Sequence, residues 1–481
     1  MSAIILIIIA VYFVGLYLIS VVVSRKKSDN DAFFTGNRQS PWWVVAIAMV
    51  GTSISGVTFV SVPGWVRETD MTYMQMAIGF FFGYIAVAYV LLPLYYRLNL
   101  ITIYGYLEQR FGKYTYKTGA LFFILSKLTG AAARLYLVAM LLQSLAFARW
   151  SIPFPATVAG IILLIWLYTR RSGIKTVIWT DMLQTICFIT ALILIIWQVA
   201  SQLNLDFSGV ADTVRHSEHF RLFVFDDWSS RQHFVKQFFS GIFIVIVMTG
   251  LDQDMMQKNL TCKTLKESRK NMLVYGSLFA PVNFLFLSLG ILLLAFAAQQ
   301  QIALPASSDE ILPLLAENYL GFPVLVFFTL GITAAAFSSA DSALTALTTT
   351  FCVDLLNIKR NEAATARNTR LKVHAGISIV FGAIIVLLNY LGQTSLIDAI
   401  YVIASYTYGP LLGLFALGLF TNVRINDKYV PAVCILSPFL CYAASWYLAQ
   451  KYGYQMGYEA LMLNALITVI GLLATRKKAK C

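Results

Sequence analysis

A row of hydroxyl groups lies on one face of a strongly apolar segment, residues 331–347. The positions that define this face are Ala335, Ser338, Ser339 and Ser342. Their spacing of i, i+3, i+4 and i+7 places three hydroxyls and one accessible carbonyl together in an α-helix. Neutral hard oxygens are the ligands that a desolvated alkali cation needs, whereas thiolates and imidazoles favour transition metals. Alternatively, the small residues only allow close helix packing, each hydroxyl bonding its own turn.

The composition predicts an all-α polytopic membrane protein. Of the 481 residues, 59% are hydrophobic and only 12% are charged. Thirteen apolar segments are long enough to span a bilayer, which leaves one transmembrane domain over 1–481 and no soluble domain. The segments are 2–24, 41–63, 72–97, 117–147, 153–170, 176–203, 233–257, 270–300, 322–356, 370–392, 395–421, 428–449 and 459–475.

The positive charge is distributed as in a membrane protein rather than a nucleic-acid-binding one. When the loops are assigned alternately to two sides, most Lys and Arg residues fall on one side, among them Lys258 and Arg370. The positive-inside rule then predicts a multi-pass protein of the plasma or inner membrane, with the N-terminus outside and the C-terminus cytoplasmic. The first segment lacks a basic n-region and a cleavage site, so we expect it to be retained.

Two of the predicted helices are interrupted at membrane depth. The second contains GTSISGVTF, residues 51–59, and the seventh contains Met248-Thr249-Gly250 followed by a polar run. Non-helical backbone is tolerated at that depth only where it lines a cavity or binds a ligand that satisfies its carbonyls. Interruptions five helices apart indicate a 5+5 inverted repeat, helices 2–6 (41–203) and 7–11 (233–421), with peripheral helices at 1–24 and 428–475.

The cysteines and histidines do not predict a transition-metal site. The six cysteines have no CxxC or metal-ligand spacing, and we expect them to be apolar packing residues or free thiols. His216, His219 and His233 cluster in the outer loop 204–232 and its end, without carboxylate or cysteine partners in a ligand pattern.

Several longer motifs resemble one transporter family. NDAFFTGNRQSPWWVVAIAMVGTSIS (30–55), SGIKTVIWTDMLQ (172–184), DQDMMQKNLTCKTLKESRK (252–270), AAAFSSADSAL (334–344) and YGPLLGLFALGLF (408–420) occur in order. Together they resemble the sodium:solute symporter family, the sodium/glucose cotransporter-like group with an inverted five-helix repeat, in its bacterial-type members. The resemblance implies a secondary active symporter and no enzyme activity.

The family's common sodium site maps onto this chain residue by residue. The resemblance implies backbone carbonyls of Gly51 and Ile54, the Ala335 carbonyl, and the hydroxyls of Ser338 and Ser339. Some members bind a second sodium with an acidic residue of the fifth core helix. The positions matching that second site are Asp181, Asp341 and Ser342, although Asp341 is an aspartate where a hydroxyl is usual and could instead pair with a lysine.

Ionisable residues inside the spans are candidates for function. Lys127 and Arg134 share a face of the fourth helix. We expect Lys127 to pair with Asp252, Asp254, Asp181 or Asp341. Arg134 follows the small residues 130–133, and its planar guanidinium suits a carboxylate solute. Sialic acid transporters of the family place an arginine on this helix. The alternatives for Arg134 are backbone carbonyls or a gate contact to Glu68 or Asp70.

Other polar side chains at the expected depth complete the predicted solute site. These are Ser53, Ser55, Thr58, Gln75 and Thr249, with Phe59, Trp65 and Tyr408 as an outer cover. Ser53–Thr58 offers fewer amides than the sugar-binding relatives carry, which disfavours a hexose.

The sequence as a whole predicts a sodium-coupled symporter that imports a small organic solute, such as sialic acid or a monocarboxylate, by alternating access. The alternatives are a proton-coupled carrier that uses Asp181 or Asp341, or sodium-coupled transport of a neutral sugar or amino acid. Only RKKAKC follows the last helix, which disfavours a fused sensor, and the closed oxygen cage disfavours a channel. We expect membrane lipids and sodium as partners, no other cofactor, and a functional monomer.

Overall fold

The computed structural model describes residues 2–476 apart from 25–29, 148–149, 171–172, 229, 359–363, 392–395 and 455. Within these ranges the protein is helical, and two isolated bridges are the only β-type pairings. The first ten helices are α1 Ser2–Ser24, α2 Asn30–Thr35, α3 Trp42–Ser53, α4 Gly56–Thr69, α5 Tyr73–Ala86, α6 Leu92–Arg97, α7 Gly105–Arg110, α8 Lys113–Leu142, α9 Phe154–Thr169 and α10 Ile174–Gln202. The remainder are α11 Phe207–Arg215, α12 Phe234–Val245, α13 Gln253–Asn259, α14 Leu265–Gln299, α15 Ile311–Asn318, α16 Gly321–Thr350, α17 Ala364–Leu391, α18 Leu396–Phe420, α19 Val430–Tyr452 and α20 Ala460–Ala474.

The membrane character predicted from composition is confirmed by the helices. Eight helices in the described ranges are long and apolar enough to cross a bilayer, and counting each of two bent pairs as one span gives ten. Three shorter apolar helices lie in the remaining predicted segments: Phe154–Thr169, Ala404–Phe420 and Ala460–Ala474.

Both predicted interruptions are present as sharp bends. α3 and α4 meet at 61° across Ile54 and Ser55, and the Ser55 hydroxyl caps α4 by accepting from the Thr58 N–H. The second bend, of 69°, separates α12 with its π-helical end from α13, and Asp252 caps α13. In both pairs a polar side chain replaces the backbone partners that the break removes.

The helix that carries the hydroxyl row lies at the centre of the protein. α16 is buried from Ala334 to Thr350, packed against α10 and α8, because its alanines and serines permit close approach. The short helices between the predicted spans were missed by the sequence analysis, among them α11, which lies within the segment 204–232 treated as a polar loop and is capped by Asp206. Its strongly amphipathic sequence and the N-terminal aspartate were the available signals.

Candidate functional site

The two bent pairs and their neighbours enclose a cavity of about 100 Å³. It lies where α3 and α12 end, and α8, α14 and α18 complete its wall. The polar and charged side chains that line it are Thr52, Ser53, Tyr84, Ser126, Lys127, Arg134, Thr249, Asp252, Asp254, Tyr275, Ser339 and Tyr408. This arrangement brings broken backbone, hydroxyls and charges of both signs to one place, as a midplane binding site requires.

Lys127 forms the predicted ion pairs. Its ammonium lies 3.1 Å from an Asp252 carboxylate oxygen and 2.7 Å from Asp254. The Tyr408 hydroxyl donates to Asp252 over 2.5 Å. Because all three charged groups are buried, each would destabilise the fold without the others, so this cluster fixes α8, α13 and α18 together. Lys127 is therefore a structural charge of the cavity wall.

Arg134 differs from Lys127 in having no hydrogen-bond or ion-pair partner among the described residues. Among the residues that the structure describes, its guanidinium makes no hydrogen bond and no ion pair, although it faces the cavity. A Cβ added to Gly130, one turn away, would have no heavy atom within 4 Å. Arg134 thus lines open space rather than packed protein. Arg134 does not make the alternative gate contacts to Glu68 or Asp70. Asp70 pairs with His219 instead, and Glu68 pairs with Arg67.

The formal charges of the cavity wall cancel. Lys127 and Arg134 carry two positive charges, and Asp252 and Asp254 carry two negative ones. Both acids bond to Lys127, so among the described residues Arg134 is the wall cation that forms no ion pair. This arrangement can attract an anion without leaving the cavity strongly charged in its absence.

Three of the predicted solute residues line the cavity. Arg134 does so from α8, Ser53 from the end of α3, and Thr249 from the end of α12. The Ser53 hydroxyl makes a short hydrogen bond with that of Tyr275, which in turn bonds the Tyr84 hydroxyl at 2.8 Å. These tyrosines were not predicted. Their spacing within apolar helices carries no signal that separates them from ordinary packing aromatics.

The other three predicted solute residues do not line it. Ser55 caps α4, and Thr58 is buried beside it in the same turn. Both amide atoms of Gln75 hold the outer loop: its Nε2 donates to the Gln232 carbonyl at 2.8 Å, and its Oε1 accepts from the Val224 N–H at 3.0 Å. The structure therefore corrects the placement of all three, because depth along a span did not reveal which face each side chain occupies.

The predicted outer cover is likewise only partly present. Tyr408 lines the cavity, but Phe59 packs against Phe286 in the core, with ring centroids 5.2 Å apart. Trp65 lies in a separate outer pocket, against Tyr73.

The residues implied for the sodium site lie together beside the first bend. The Ser339 hydroxyl donates to the Thr52 and Ala335 carbonyls, each at 3.2 Å. The Ser338 oxygen is buried and has no hydrogen-bond partner in the described ranges. A Cβ added to Gly51 would lie 3.2 Å from that oxygen. The α16 hydroxyls thus abut the end of α3 directly.

The backbone carbonyls at this bend are not used by the helices. Across the described residues, no backbone N–H bonds to the carbonyl of Gly51 or of Ile54: α3 ends before Ser55, and the Thr58 N–H donates to the Ser55 hydroxyl instead. Carbonyls freed by a helix break, next to the unpartnered Ser338 hydroxyl, form a neutral oxygen set of the kind that binds an alkali cation.

The residues implied for a second sodium form an adjoining cluster that includes an unpredicted lysine. Asp181 Oδ2 accepts from the Thr52 and Ser342 hydroxyls at 3.1 and 3.0 Å. The same oxygen lies 2.5 Å from the Lys258 ammonium, and neither side chain is exposed. Lys258 also makes a short hydrogen bond to Thr52. Asp181 is therefore already paired with a cation of the protein.

Asp341 is the second acid of this cluster. Its Oδ2 accepts from the Tyr168 hydroxyl at 2.8 Å. The other carboxylate oxygens, Oδ1 of Asp341 and Oδ1 of Asp181, are buried with no hydrogen-bond partner in the part of the chain described. The cluster contains two carboxylates and one ammonium, so one carboxylate has no ammonium to neutralise it.

Lys258 corrects the charge assignment made from sequence, as does Arg370. Both were counted among cytoplasmic loop cations, and both are buried, Lys258 on Asp181 and Arg370 against Asn30 and the Phe33 ring. The signal for Lys258 was its place four residues after Asp254 in the polar run that follows the second break. That run continues as a buried helix, α13.

Comparison with known proteins identifies the family of this chain. The model of the Sodium:solute symporter family matches residues 33–428. The Sodium/sialic acid symporter SiaT of Proteus mirabilis (strain HI4320) is 26% identical over 450 residues, which cover 90% of this chain and 88% of SiaT. The Sodium/sialic acid symporter NanT of Aliivibrio fischeri (strain ATCC 700601 / ES114) is 26% identical over 452 residues, 90% of this chain and 85% of NanT.

A solved structure has the same fold. It is the substrate-bound, outward-open state of a Na⁺-coupled sialic acid symporter, 23% identical, with a TM-score of 0.83 over 98% of this chain and 97% of that one. The protein is therefore a multi-pass membrane transporter rather than an enzyme, and the family model spans most of its length. The chain belongs to the sodium:solute symporter family.

Proposed function

We propose that this protein couples the entry of sodium to the import of a small carboxylate. The observation that carries the carboxylate is Arg134, a guanidinium that lines the cavity and has no partner among the described residues. A planar guanidinium binds a carboxylate through two parallel hydrogen bonds, which gives both affinity and orientation. The sialic acid symporters to which the chain is similar carry a solute of this chemistry.

The sodium ion binds, in this proposal, to the carbonyls of Gly51, Ile54 and Ala335 and the hydroxyls of Ser338 and Ser339. The unpartnered Ser338 oxygen and the free carbonyls at the first bend support it. Because Thr52 and Ser339 also line the solute cavity, the ion and the solute would share a wall. Sodium would thereby order the bend that carries Ser53, and each ligand would favour binding of the other.

The solute site would also contain Ser53, Thr249 and Tyr275. Their hydroxyls line the same cavity as the α8 charges and would bind the non-ionic part of the solute. The hydroxyl-rich lining suits a polyol carboxylate such as a sialic acid better than a purely apolar monocarboxylate.

Alternating access would depend on a 5+5 repeat of helices. In this proposal the repeat lies within a single domain of thirteen membrane spans. The two bent pairs lie at the second and seventh predicted segments, and the eight long and three short apolar helices correspond to the other eleven. We infer an outside N-terminus and a cytoplasmic C-terminus from the loop charges, and a monomer as the functional unit, since one chain supplies every residue of the site.

The cluster around Asp181 supports a second coupled cation. With both carboxylates ionised and Lys258 charged, Asp181, Asp341 and Lys258 sum to one negative charge in a buried site. An isolated buried charge is unfavourable, so a sodium ion or a proton would complete the cluster. A sodium would bind the free Oδ1 atoms of Asp181 and Asp341 together with Ser342, and a proton would reside on Asp341.

Uptake into proteoliposomes tests the proposal. Labelled sialic acids, monocarboxylates, sugars and amino acids are presented with an inward sodium gradient, with a proton gradient alone, and with neither. Concentrative uptake of a carboxylate only under the sodium gradient is expected, and a Hill coefficient for sodium above one would identify the second cation. Uptake of a neutral solute would overturn the carboxylate assignment. Uptake driven by protons without sodium would overturn the sodium coupling.

A further inference from the structure

An apolar groove of about 580 Å³ runs between α9 and α17, away from the solute cavity. Its walls are the aliphatic side chains of both helices, among them Val158, Ile162, Leu163, Ile379 and Val386. Leu163 is 55% exposed and Ile379 is 72% exposed, so the groove is open on its outer side. In a membrane-spanning protein this open side faces the hydrocarbon region, where the neighbouring molecules are lipid acyl chains.

One end of the groove carries positive charge from both helices. Thr169, at the end of α9, bonds through its hydroxyl to the His374 ring over 2.9 Å, which fixes the end of α9 beside the first turns of α17. Arg170 directly follows α9, one turn beyond the groove residue Trp166, and its guanidinium lies 4.6 Å from that ring's centroid.

Lys372 supplies the second cation from α17. It precedes the groove residues Ala375 and Ile379 by three and seven positions, so it lies on the same helical face, one turn nearer the end. Its side chain is exposed. Within the described ranges neither Arg170 nor Lys372 forms an ion pair. A phospholipid has a charged phosphate, an interfacial glycerol region and apolar acyl chains. The two cations suit the phosphate, the tryptophan suits the interfacial region, and the groove suits an acyl chain.

We propose that this groove binds one anionic phospholipid of the inner leaflet, with its phosphate between Arg170 and Lys372 and an acyl chain along the groove. The inner-leaflet assignment rests on the topology proposed above, which puts the end of α9 on the cytoplasmic side. A free phosphate ion would satisfy the two cations but would leave the groove unfilled, so the continuity of charge and apolar surface favours a lipid. No part of the site uses sodium or the solute.

Native mass spectrometry of the detergent-solubilised protein tests this site. Phosphatidylglycerol and phosphatidylcholine are added separately to the wild type, to Arg170→Gln/Lys372→Gln, and to the groove-filling variant Gly382→Leu. The matched control is Lys113→Gln/Lys428→Gln, which removes two exposed cations from other helix starts. We expect one tightly bound phosphatidylglycerol on the wild type and on the control. On both test variants the lipid-bound fraction should be at least tenfold smaller.

The outcomes separate this site from other sources of lipid or phosphate binding. Equal retention of phosphatidylcholine and phosphatidylglycerol by the wild type, or equal loss in the control double variant, would refute a specific anionic site. Displacement of the lipid by millimolar inorganic phosphate would mean that the cations bind phosphate without the groove. Thermal unfolding of each variant verifies that it is folded. Since the measurement contains neither sodium nor solute, its failure would leave the transport proposal untouched.

Discussion

The ammonium of Lys258 lies 2.5 Å from the carboxylate of Asp181, and both side chains are completely buried. The contact joins α13, the second half of one bent pair, to α10. Through Thr52, which bonds to both groups, it also reaches the end of α3 in the other bent pair. One ion pair therefore connects the two interrupted helices across the centre of the protein.

Removing one member of this pair should destabilise the protein strongly. Lys258→Met would strand two nearby carboxylates, and Asp181→Asn would strand an ammonium, so each should lower the unfolding free energy by about 3–5 kcal/mol. The double variant should recover part of that loss, since it removes both members of the pair and leaves Asp341 as the one carboxylate of the cluster. Thermal unfolding in detergent measures the stability of the wild type, both single variants and the double variant. The control is Lys263→Met, which changes an exposed lysine nearby. Additive losses in the double variant would show that the pair is not coupled.

The sodium dependence of uptake should depend on the α16 hydroxyls. Removing one of about five ligands with Ser338→Ala or Ser339→Ala should cost about 1–3 kcal/mol of sodium binding, a fivefold or larger increase in the sodium concentration for half-maximal uptake. Ser288→Ala is the control, because that buried hydroxyl donates to the Phe284 carbonyl of its own helix. Unchanged sodium dependence in both α16 variants would place the ion elsewhere.

Arg134 should determine solute affinity without affecting sodium binding to the solute-free protein. Arg134→Ala should weaken solute binding by about 2–5 kcal/mol, at least about thirtyfold in Kd. Arg134→Lys should restore little, because a point ammonium cannot reproduce the planar fork. Isothermal titration of solute and of sodium separates the two effects, and Arg215→Lys on the exposed face of α11 is the control. Near-native solute affinity in a stable Arg134→Ala protein would favour a neutral solute.

Close approach of helices at the ion site should make Gly51 intolerant of any side chain. A Cβ at this position would lie 2.1 Å from Thr185 Oγ1, so Gly51→Ala should cost about 1–3 kcal/mol of stability by overpacking. Adding Thr185→Ala should recover part of this loss. Gly160→Ala, where an added Cβ meets nothing within 4 Å, should be neutral or stabilising in the same thermal unfolding assay. Equal tolerance at both glycines would contradict the packing.

The parts of the fold that depend on hydropathy and backbone chemistry could be predicted from sequence. Long apolar segments, two interruptions and the hydroxyl face of α16 are local patterns, and all of them appear in the structure. The pairing of Lys127 with Asp252 and Asp254 was also predictable, since few acids share its depth. Each of these features follows from how unfavourable a bare charge or an unbonded carbonyl is in hydrocarbon.

What could not be predicted is the direction in which individual polar side chains point at a given depth. Gln75 has the depth of a solute ligand but faces Val224 and Gln232 of the outer loop. Lys258 belongs to a polar run typical of a loop, yet after the 69° bend that run forms the buried helix α13. Helical periodicity is interrupted at a bend, so the face on which a residue emerges depends on tertiary packing.

The cancellation of charge around the solute cavity has an electrical consequence. Because the wall charges of the solute cavity sum to zero, this cavity adds no charge of its own to either reorientation step, and over a full cycle only the cargo carries charge across the membrane. One sodium with a monovalent carboxylate would then be electroneutral, and its uptake would not respond to membrane potential. If the Asp181 cluster adds a second cation, each cycle would import one net positive charge and gain about 2.3 kcal/mol per 100 mV of inside-negative potential. The voltage dependence of uptake would therefore reveal how many cations the carrier moves.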